Sequence, residues 1–587
     1  MLEWRETVRR RATETLKQSP EYENIPKYLK YLLGQHWSEK RPRYRSRFYD
    51  NRLRIVRRET LALLTDVRPT IEVTGRTPFE EQAKIVRNVI LSEWMRLNME
   101  LRLIEVVDHA MLGGVGFWRI GAAYPGQLIV SSLGIDSVIP LDAKQDIQEA
   151  SAVVYTAEKP LLYFIKKWPH KVDAIRKHAS LESPEEPGAK VSRPPQIPDT
   201  VWMTYPEPTK RLLAKAFSSF GTTQFSKVRL EEFYIDDPSI NESPYPFEVV
   251  DHDKSKDSYN YWYTVDPGQP LFPRKRLIIF AGDEILYDST SPYWHGLYPY
   301  AALVLDPVVF SFYGLSKYRD LIPIVEAINE IGAGTSDAIK RAINPARIGR
   351  MGAMTEEAWR MFYPDLPGSE LQLSPTGDPA RDVRFLDPPM LPGYIFAFLS
   401  SYLIPTLDRQ AGSFDPYELR GKKQAPGGDT IEAMRSSMQH SFRLDSRFIE
   451  AFLRDAGELA VPNVFQFFNK EQRMKILGPD GLTLQDFDYN PNQMAPWSEP
   501  REQHYRNFSF NIAPGSLLGG TSDRGKLIAI QLFGMGAISR KELLRRLDIG
   551  DIEKIEQEIA EERATGLGPA KTARTPRLSR GQRTGGV

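Results

Sequence analysis

Apolar residues return every three or four positions from Leu321 onward: Leu321, Val325, Ile328 and Ile331 fall on one face at helical spacing. This pattern predicts a helix from about Ser316, a candidate cap, to Asn344. Asn344-Pro345 stops it, because the residue before proline disfavours the helical region. An irregular insert rich in Pro, Gly and Asp follows, from Ala346 to Pro392. Ile395, Leu399, Tyr402 and Leu403 then predict a second helix, Gly393 to about Gly412, in which Pro405 removes a hydrogen bond and should leave a kink. The stretch from Asp415 to Gly428 mixes Arg420, Lys422 and Lys423 with Gly421, Gly427 and two prolines, and cannot be a stable helix. Asp429 and Glu432 form a capping pair that restarts helix, from Thr430 to Val461, where Pro462 interrupts. That helix would be a rod of roughly 45–50 Å at about 1.5 Å per residue.

The N-terminal half alternates differently. Residues 1–66 read as helical and basic, with Arg41, Arg43, Arg45, Arg47, Arg52, Arg54, Arg57 and Arg58 in one short run. Such a run is either a solvated or inter-subunit face, or a contact for nucleic acid or a scaffold protein. Arg68–Val73 reads as a strand, and Phe79 to about Leu112 as one long amphipathic helix. Phe117–Ile120 and Gln127–Val130 predict a hairpin around Pro125-Gly126. Further strands are expected at Ala152–Thr156, Val228–Ile235, Arg276–Phe280 and Glu284–Tyr287, with a Pro-rich loop at Ser183–Thr200. Beyond the long helix, Phe508–Ile512 reads as a strand returning to this region. Arg524–Phe533, Ser539–Leu547 and Asp551–Arg563 read as three short helices, Ser539 and Glu542 making a capping box. The fold class is α+β.

This order of elements resembles the portal (head–tail connector) proteins of tailed double-stranded DNA bacteriophages, most like those of short-tailed phages. In that family two stem helices flank a clip, a tunnel loop follows, and a long helix spans the wing. The family's G-x-S, helix, I-N pattern is matched by Gly314-Leu315-Ser316 and Ile328-Asn329. The resemblance spans residues 35 to 565 and rests on architecture and loose pattern. It implies an α/β wing (1–312), a first stem helix (313–344), a small mixed clip (345–392), a second stem helix (393–412) and a tunnel loop (413–428). A long wing helix with its returning strand (429–515), a helical crown (516–565) and a flexible basic tail (566–587) would complete the chain.

Function follows from the same resemblance. It implies a non-enzymatic ring subunit, a dodecamer at one capsid vertex, through which double-stranded DNA is packaged and ejected. The implied partners are other copies of the chain, DNA held weakly without regard to sequence, the terminase large subunit, the major capsid and scaffolding proteins, and the head–tail adaptor. The location would be the virion, after assembly in the host cytoplasm. No cofactor or metal is implied. Arg420, Lys422 and Lys423 would face DNA from the tunnel loop. Lys340 and Arg341, near the clip, would either form a basic ring in the channel or simply offset the helix C-terminal dipole. Trp359, Phe362 and Tyr363 would form the clip's partner surface or a small self-contained core.

Charge changes the picture in one respect. The chain holds 77 basic and 76 acidic residues, net +1. Lys571, Arg574, Arg577, Arg580 and Arg583 crowd the last 22 residues, which have no acids, so the remainder carries −4. Affinity for nucleic acid grows with the number of phosphates neutralised. A near-neutral body therefore argues against tight DNA binding and suits a conduit along which DNA slides. The insert itself, with five arginines against seven acids, is slightly acidic. There are no cysteines, which excludes disulfides, thiolate metal sites and a cysteine nucleophile. No apolar run reaches the roughly 18–20 residues of a membrane span, and Met1–Glu6 begins no signal-peptide pattern.

Several motifs fall short of catalysis. Gly520–Lys526 fits the start of a phosphate-binding loop, but Leu527 stands where a Mg²⁺-binding Ser or Thr belongs. Asp251–Asp257 suggests a Ca²⁺ loop, yet it lacks the central glycine and has Trp262 in place of the bidentate glutamate; a solvated hairpin loop explains it better. Gly113-Gly-Val-Gly116 does not complete a dinucleotide fingerprint, and the histidines show no zincin spacing. Two other functions stay open: a DNA-processing enzyme, nuclease or NTPase, with an atypical site, and a structural virion scaffold without a DNA role.

Overall fold

The computed structural model describes residues 2–38, 40–65, 71–177, 227–251, 261–343, 347–349, 356–361, 383–385, 392–412, 428–477, 484–494 and 500–512, with isolated positions at 69, 378, 381, 533, 534 and 543. The chain divides into two compact units, one of residues 1–472 and 489–518, the other of 473–488 and 519–587. The described part of the second is mainly a two-stranded sheet, β14 (Gln472–Leu477) with β15 (Leu484–Tyr489), clasped by an Arg473–Asp486 ion pair at 2.7 Å. The three expected helices beyond residue 523 lie almost wholly outside the described residues, as do the phosphate-loop-like segment and the basic tail.

In the first unit a mixed α+β body is built on small antiparallel sheets. Helices α1 (Leu2–Gln18), α2 (Ile25–Leu32) and α3 (Arg52–Thr65) open the chain. Trp4, Val8, Ala12 and Leu16 recur at intervals of four, so one face of α1 lies on the core. The core's main sheet has the order β10-β9-β6-β5-β4: β4 (Val138–Leu141), β5 (Ala152–Pro160), β6 (Lys227–Ile235), β9 (Arg276–Ala281) and β10 (Glu284–Thr290). Val153, Phe233, Ile278 and Phe280 are among its buried residues. Short helices α6 (Leu161–Lys167) and α7 (Val172–Arg176) follow β5.

A second sheet joins β2 (Gly116–Ala123), β3 (Gln127–Leu133) and β11 (Tyr300–Leu303) in the order β11-β2-β3. Its β2–β3 hairpin turns at Pro125-Gly126, as the sequence predicts. Strands β7 (Phe247–Asp251) and β8 (Tyr261–Val265) pair antiparallel, so the Asp251–Asp257 segment leads out of one strand of a hairpin. Its residues 252–257 lie outside the described ones. The returning strand is also found: β1 (Ile71–Gly75) pairs with β16 (Phe508–Ile512), Val73 opposite Phe510.

Two expectations are corrected in the helices. The single helix read over Phe79–Leu112 is two, α4 (Glu80–Arg96) and α5 (Met99–Gly113), broken where Asn98 takes a left-handed φ of 50°. Asparagine tolerates that conformation better than other non-glycine residues. Pro462 does not end the long helix. Helix α11 runs Gly428–Phe467, straight through it. An interior proline costs about 3 kcal/mol. Beyond it, Val464, Phe465 and Phe467 are buried, each contributing roughly 1.5–3 kcal/mol. Gln466, also buried, accepts from the Trp294 amide and donates to Pro292 O. Burial past the proline outweighs the lost hydrogen bond.

The helix that opened the sequence reading is α8, Leu321–Ile343, starting five residues later than expected. Ser316 is not its cap. The Ser316 hydroxyl instead donates to Met111 O at 2.9 Å, at the end of α5, and accepts from the Tyr318 amide. The insert's described parts are β12 (Arg347–Gly349) paired with β13 (Val383–Phe385), and α9 (Glu356–Met361). The second helix, α10, has α-helical ends, Tyr394–Phe398 and Ile404–Ala411, around a π-helical turn at Leu399–Leu403. The π turn sits just ahead of Pro405, whose missing N–H and ring disturb the regular ladder there.

Candidate nucleic-acid interface

Helix α8 is the rod on which the candidate residues are arranged. Its buried face carries Leu321, Ile322, Val325, Ile328 and Ala333. Its first turn is tied into the body by the segment before it. The Lys317 amide donates to Met111 O, and its ammonium meets Asp445 of α11 at 3.1 Å. Burial pushes the Asp445 carboxyl above its usual range, against the opposing pull of Lys317. The Gly314-Leu315-Ser316 segment thus docks α8 against the end of α5, and Lys317 docks it against α11.

The arginine-rich N-terminal arm runs along the other end of the same helix. The Tyr31 hydroxyl donates to Glu326. Burial works against the charge of Glu326, but hydrogen bonds from Tyr31 and Lys27 hold its carboxyl below the usual range. One turn on, Asn329 is 2% exposed. Its Oδ1 accepts from the Asp50 amide at 2.7 Å, and its Nδ2 lies 3.2 Å from His36 Nδ1. Burial pushes the His36 imidazole below its ordinary value, which suits the acceptor role at Nδ1. The Phe48 ring covers Gly332, where a Cβ would collide with it. Finally the Ser46 amide donates to Asp337 Oδ1 at 2.7 Å. The chain from Asp50 back to Ser46 therefore climbs α8 toward its C-terminus.

At that end the structure brings together two groups that are nearly 300 residues apart. Lys340 Nζ lies 3.8 Å from the same Asp337 oxygen that holds Ser46. Lys340 and Arg341, the predicted stem cations, occupy the last turn of α8 and are exposed. Arg43, Arg45 and Arg47 are exposed on the arm. The turn that bears them is braced from inside: the Arg45 amide donates to Pro42 O, and the Arg41 guanidinium lies 3.8 Å from the Trp37 ring centroid. Arg41 Nε also donates to Ser46 O at 2.9 Å, and Trp37 Nε1 to Phe48 O. Not all of the arginine run is free. Arg52 pairs with Asp50, and Arg57 makes a bidentate bridge to Asp108 at 2.6 Å. Part of the run is thus spent on ion pairs within the chain, which neither reading of it expected.

The remaining predicted residues are not brought to this place. Trp359 lies on α9, its side chain outside the described ones; Phe362, Tyr363, Arg420, Lys422 and Lys423 lie outside the described residues altogether. The sequence reading also passed over one surface. Tyr394, Phe398 and Tyr402 recur every four residues, with Phe396 beside them, and all four are exposed. Phe398 and Tyr402 stack at 5.3 Å. That spacing was a second apolar stripe beside the buried one marked by Leu403. Among the described residues no group of three His, Asp or Glu side chains is placed to hold a metal, and no helix is long and apolar enough to cross a membrane. No family model matches this chain, and no curated protein matches it.

Proposed function

We propose that the chain is a portal subunit, a ring-forming channel protein through which double-stranded DNA enters and leaves a phage capsid. The observation that carries the reading is the helix pair α8–α10. The two helices bracket the insert in sequence and pack against each other. Both keep apolar side chains in solvent: Ile339 and Ile343 on α8, and Tyr394, Phe396, Phe398 and Tyr402 on α10. A monomer has no use for this exposed surface, whereas neighbouring copies of a ring would cover it. The order of elements around the pair supports the same reading. An irregular insert lies between the helices, a basic Gly-rich segment follows them, and a 40-residue helix comes next.

On this reading the insert docks terminase and later the tail adaptor, and Arg420, Lys422 and Lys423 guide DNA by weak, screened contacts. Electron microscopy of the purified protein tests it. Rings with a central hole are expected. A monodisperse monomer with nuclease or ATPase activity would overturn the reading in favour of a DNA-processing enzyme.

A further inference from the structure

We propose that the turn at Arg41–Arg47 and the C-terminal end of α8 form one composite surface that binds the phosphate backbone of duplex DNA, without regard to sequence. The proposal goes beyond the portal reading. It is built on a single chain and holds whether or not rings form.

Charge is the first ground. Arg43, Arg45, Arg47, Lys340 and Arg341 are all exposed, and the turn and the helix end that bear them meet at one carboxylate, Asp337, through the Ser46 amide and Lys340 Nζ. That carboxylate is already committed: its side chain is 13% exposed and accepts from the Ser46 amide, and Lys340 approaches it at 3.8 Å. The Arg47 guanidinium donates to a neutral acceptor, Arg41 O, at 3.1 Å, and among the described residues no acid compensates its charge. Among the described residues Arg43, Arg45 and Arg341 have no acidic partner within 4 Å.

Rigidity is the second. The turn is held by the Trp37–Arg41 stack, by Arg41 to Ser46 O, by Trp37 to Phe48 O, and by Ser46 and Asp50 on α8. A surface already in place loses little entropy on binding.

Residue type is the third. Three of the five cations are arginines on one short turn, whose planar forks match phosphate in bidentate geometry. Tyr44, 78% exposed at the turn's apex, adds an aromatic face with a hydroxyl donor. An acidic protein partner would instead be expected to meet an apolar patch at the centre of the contact. Around these cations Phe48, Tyr49, Ile339 and Ile343 are exposed beside Tyr44, so it is competition by polyglutamate that separates an acidic protein from DNA. The near-neutral charge of the whole chain keeps such binding weak and strongly salt-dependent.

The test is fluorescence anisotropy with a labelled duplex of mixed sequence over a salt series. For the wild type, log K should fall against log salt with a slope of about −3 to −5, from about 0.9 per phosphate neutralised. The variant R43A/R45A/R47A should bind at least about tenfold more weakly at low salt and lose about 2–3 of that slope. K340A/R341A should lose about 1–2. R43K/R45K/R47K keeps the charges and should keep the slope. Unchanged slopes in the alanine variants, with melting curves like the wild type, would overturn the proposal. If the triple alanine variant melts early, K340A/R341A decides alone, and an unaltered slope there is equally fatal. Polyglutamate competing as well as unlabelled duplex would also overturn it, and would point to an acidic protein instead.

Discussion

A methyl group placed on Gly314 would lie 2.9 Å from the carbonyl oxygen of Gly114, and one on Gly114 would lie 2.7 Å from the carbonyl carbon of Gly314. The two glycines touch backbone to backbone. Gly114 also ends α5 with φ at 78°, a conformation that a side chain disfavours. The motif glycine before α8 is thus needed for close approach to the end of α5. Gly314→Ala should destabilise the first unit by about 2–4 kcal/mol, because backbone on both sides cannot give way. Chemical denaturation measures this. A variant within about 0.5 kcal/mol of wild type would show that the contact relaxes freely.

Asn329 is the second test. Its buried amide is the acceptor for Asp50 N–H. Asn329→Ala leaves that donor unpaired and should cost about 1–3 kcal/mol. The loss should be local, freeing the arm along α8. Hydrogen exchange should quicken at Ser46 and Asp50 while the β5–β6 pair stays protected. Uniform acceleration across the unit would contradict a local role.

Acid should be felt at His295. Its Nδ1 accepts from the Leu297 amide at 3.0 Å, so the ring proton sits on Nε2, which is buried with no partner among the described residues. Burial pushes its pKa down to about 3. The unfolded chain takes up this proton near pH 6.5, and the folded chain refuses it until about pH 3. Stability contributed by the neutral ring is therefore complete above pH 6.5 and is lost as pH falls through that window. Between pH 7 and 4.5 the loss should be on the order of 2 kcal/mol more in the wild type than in His295→Gln. Parallel denaturation curves for the two proteins across that range would count against it.

The exposed aromatic stripe gives the fourth. If α8 and α10 meet neighbouring copies, Phe398→Ser with Tyr402→Ser should shift the sedimenting species from large assemblies toward monomer. The circular dichroism spectrum should be unchanged, since neither side chain is buried in the subunit. Assembly as in the wild type would remove this stripe from any interface.

Much of the body was legible from local pattern. The β2–β3 hairpin, the strands β5, β6, β9 and β10 and the two helices flanking the insert follow from period-2 and period-3.6 spacing, which depends on near neighbours. The misreadings have causes of another kind, one local and one distant. Asn98 breaks a helix without any change in apolar period, and Pro462 passes through one because distant groups, Pro292 and Trp294, hold the turn beyond it. At the candidate interface, Lys340 and Arg341 were legible as helix-end cations and the arginine run as a basic cluster. That the two are one place was not legible. Trp359, Phe362, Tyr363, Arg420, Lys422 and Lys423 lie on unplaced side chains or outside the described residues, and their roles rest on the sequence.

From the sequence came the elements, the α+β class, the near-zero charge and the absence of cysteine chemistry, because each depends on composition or on residues within a turn or two. Only the tertiary structure decided that Arg57 is spent on Asp108 and that the turn bearing Arg43, Arg45 and Arg47 meets the Lys340 end of α8 at Asp337. It also decided that Gly314 and Asn329 act as docking points for the end of α5 and for the arm. Those outcomes turn on contacts across some 50 to 300 residues of chain, such as Arg57 with Asp108 and Ser46 with Asp337. Local periodicity carries no record of which distant group will arrive to complete a hydrogen bond.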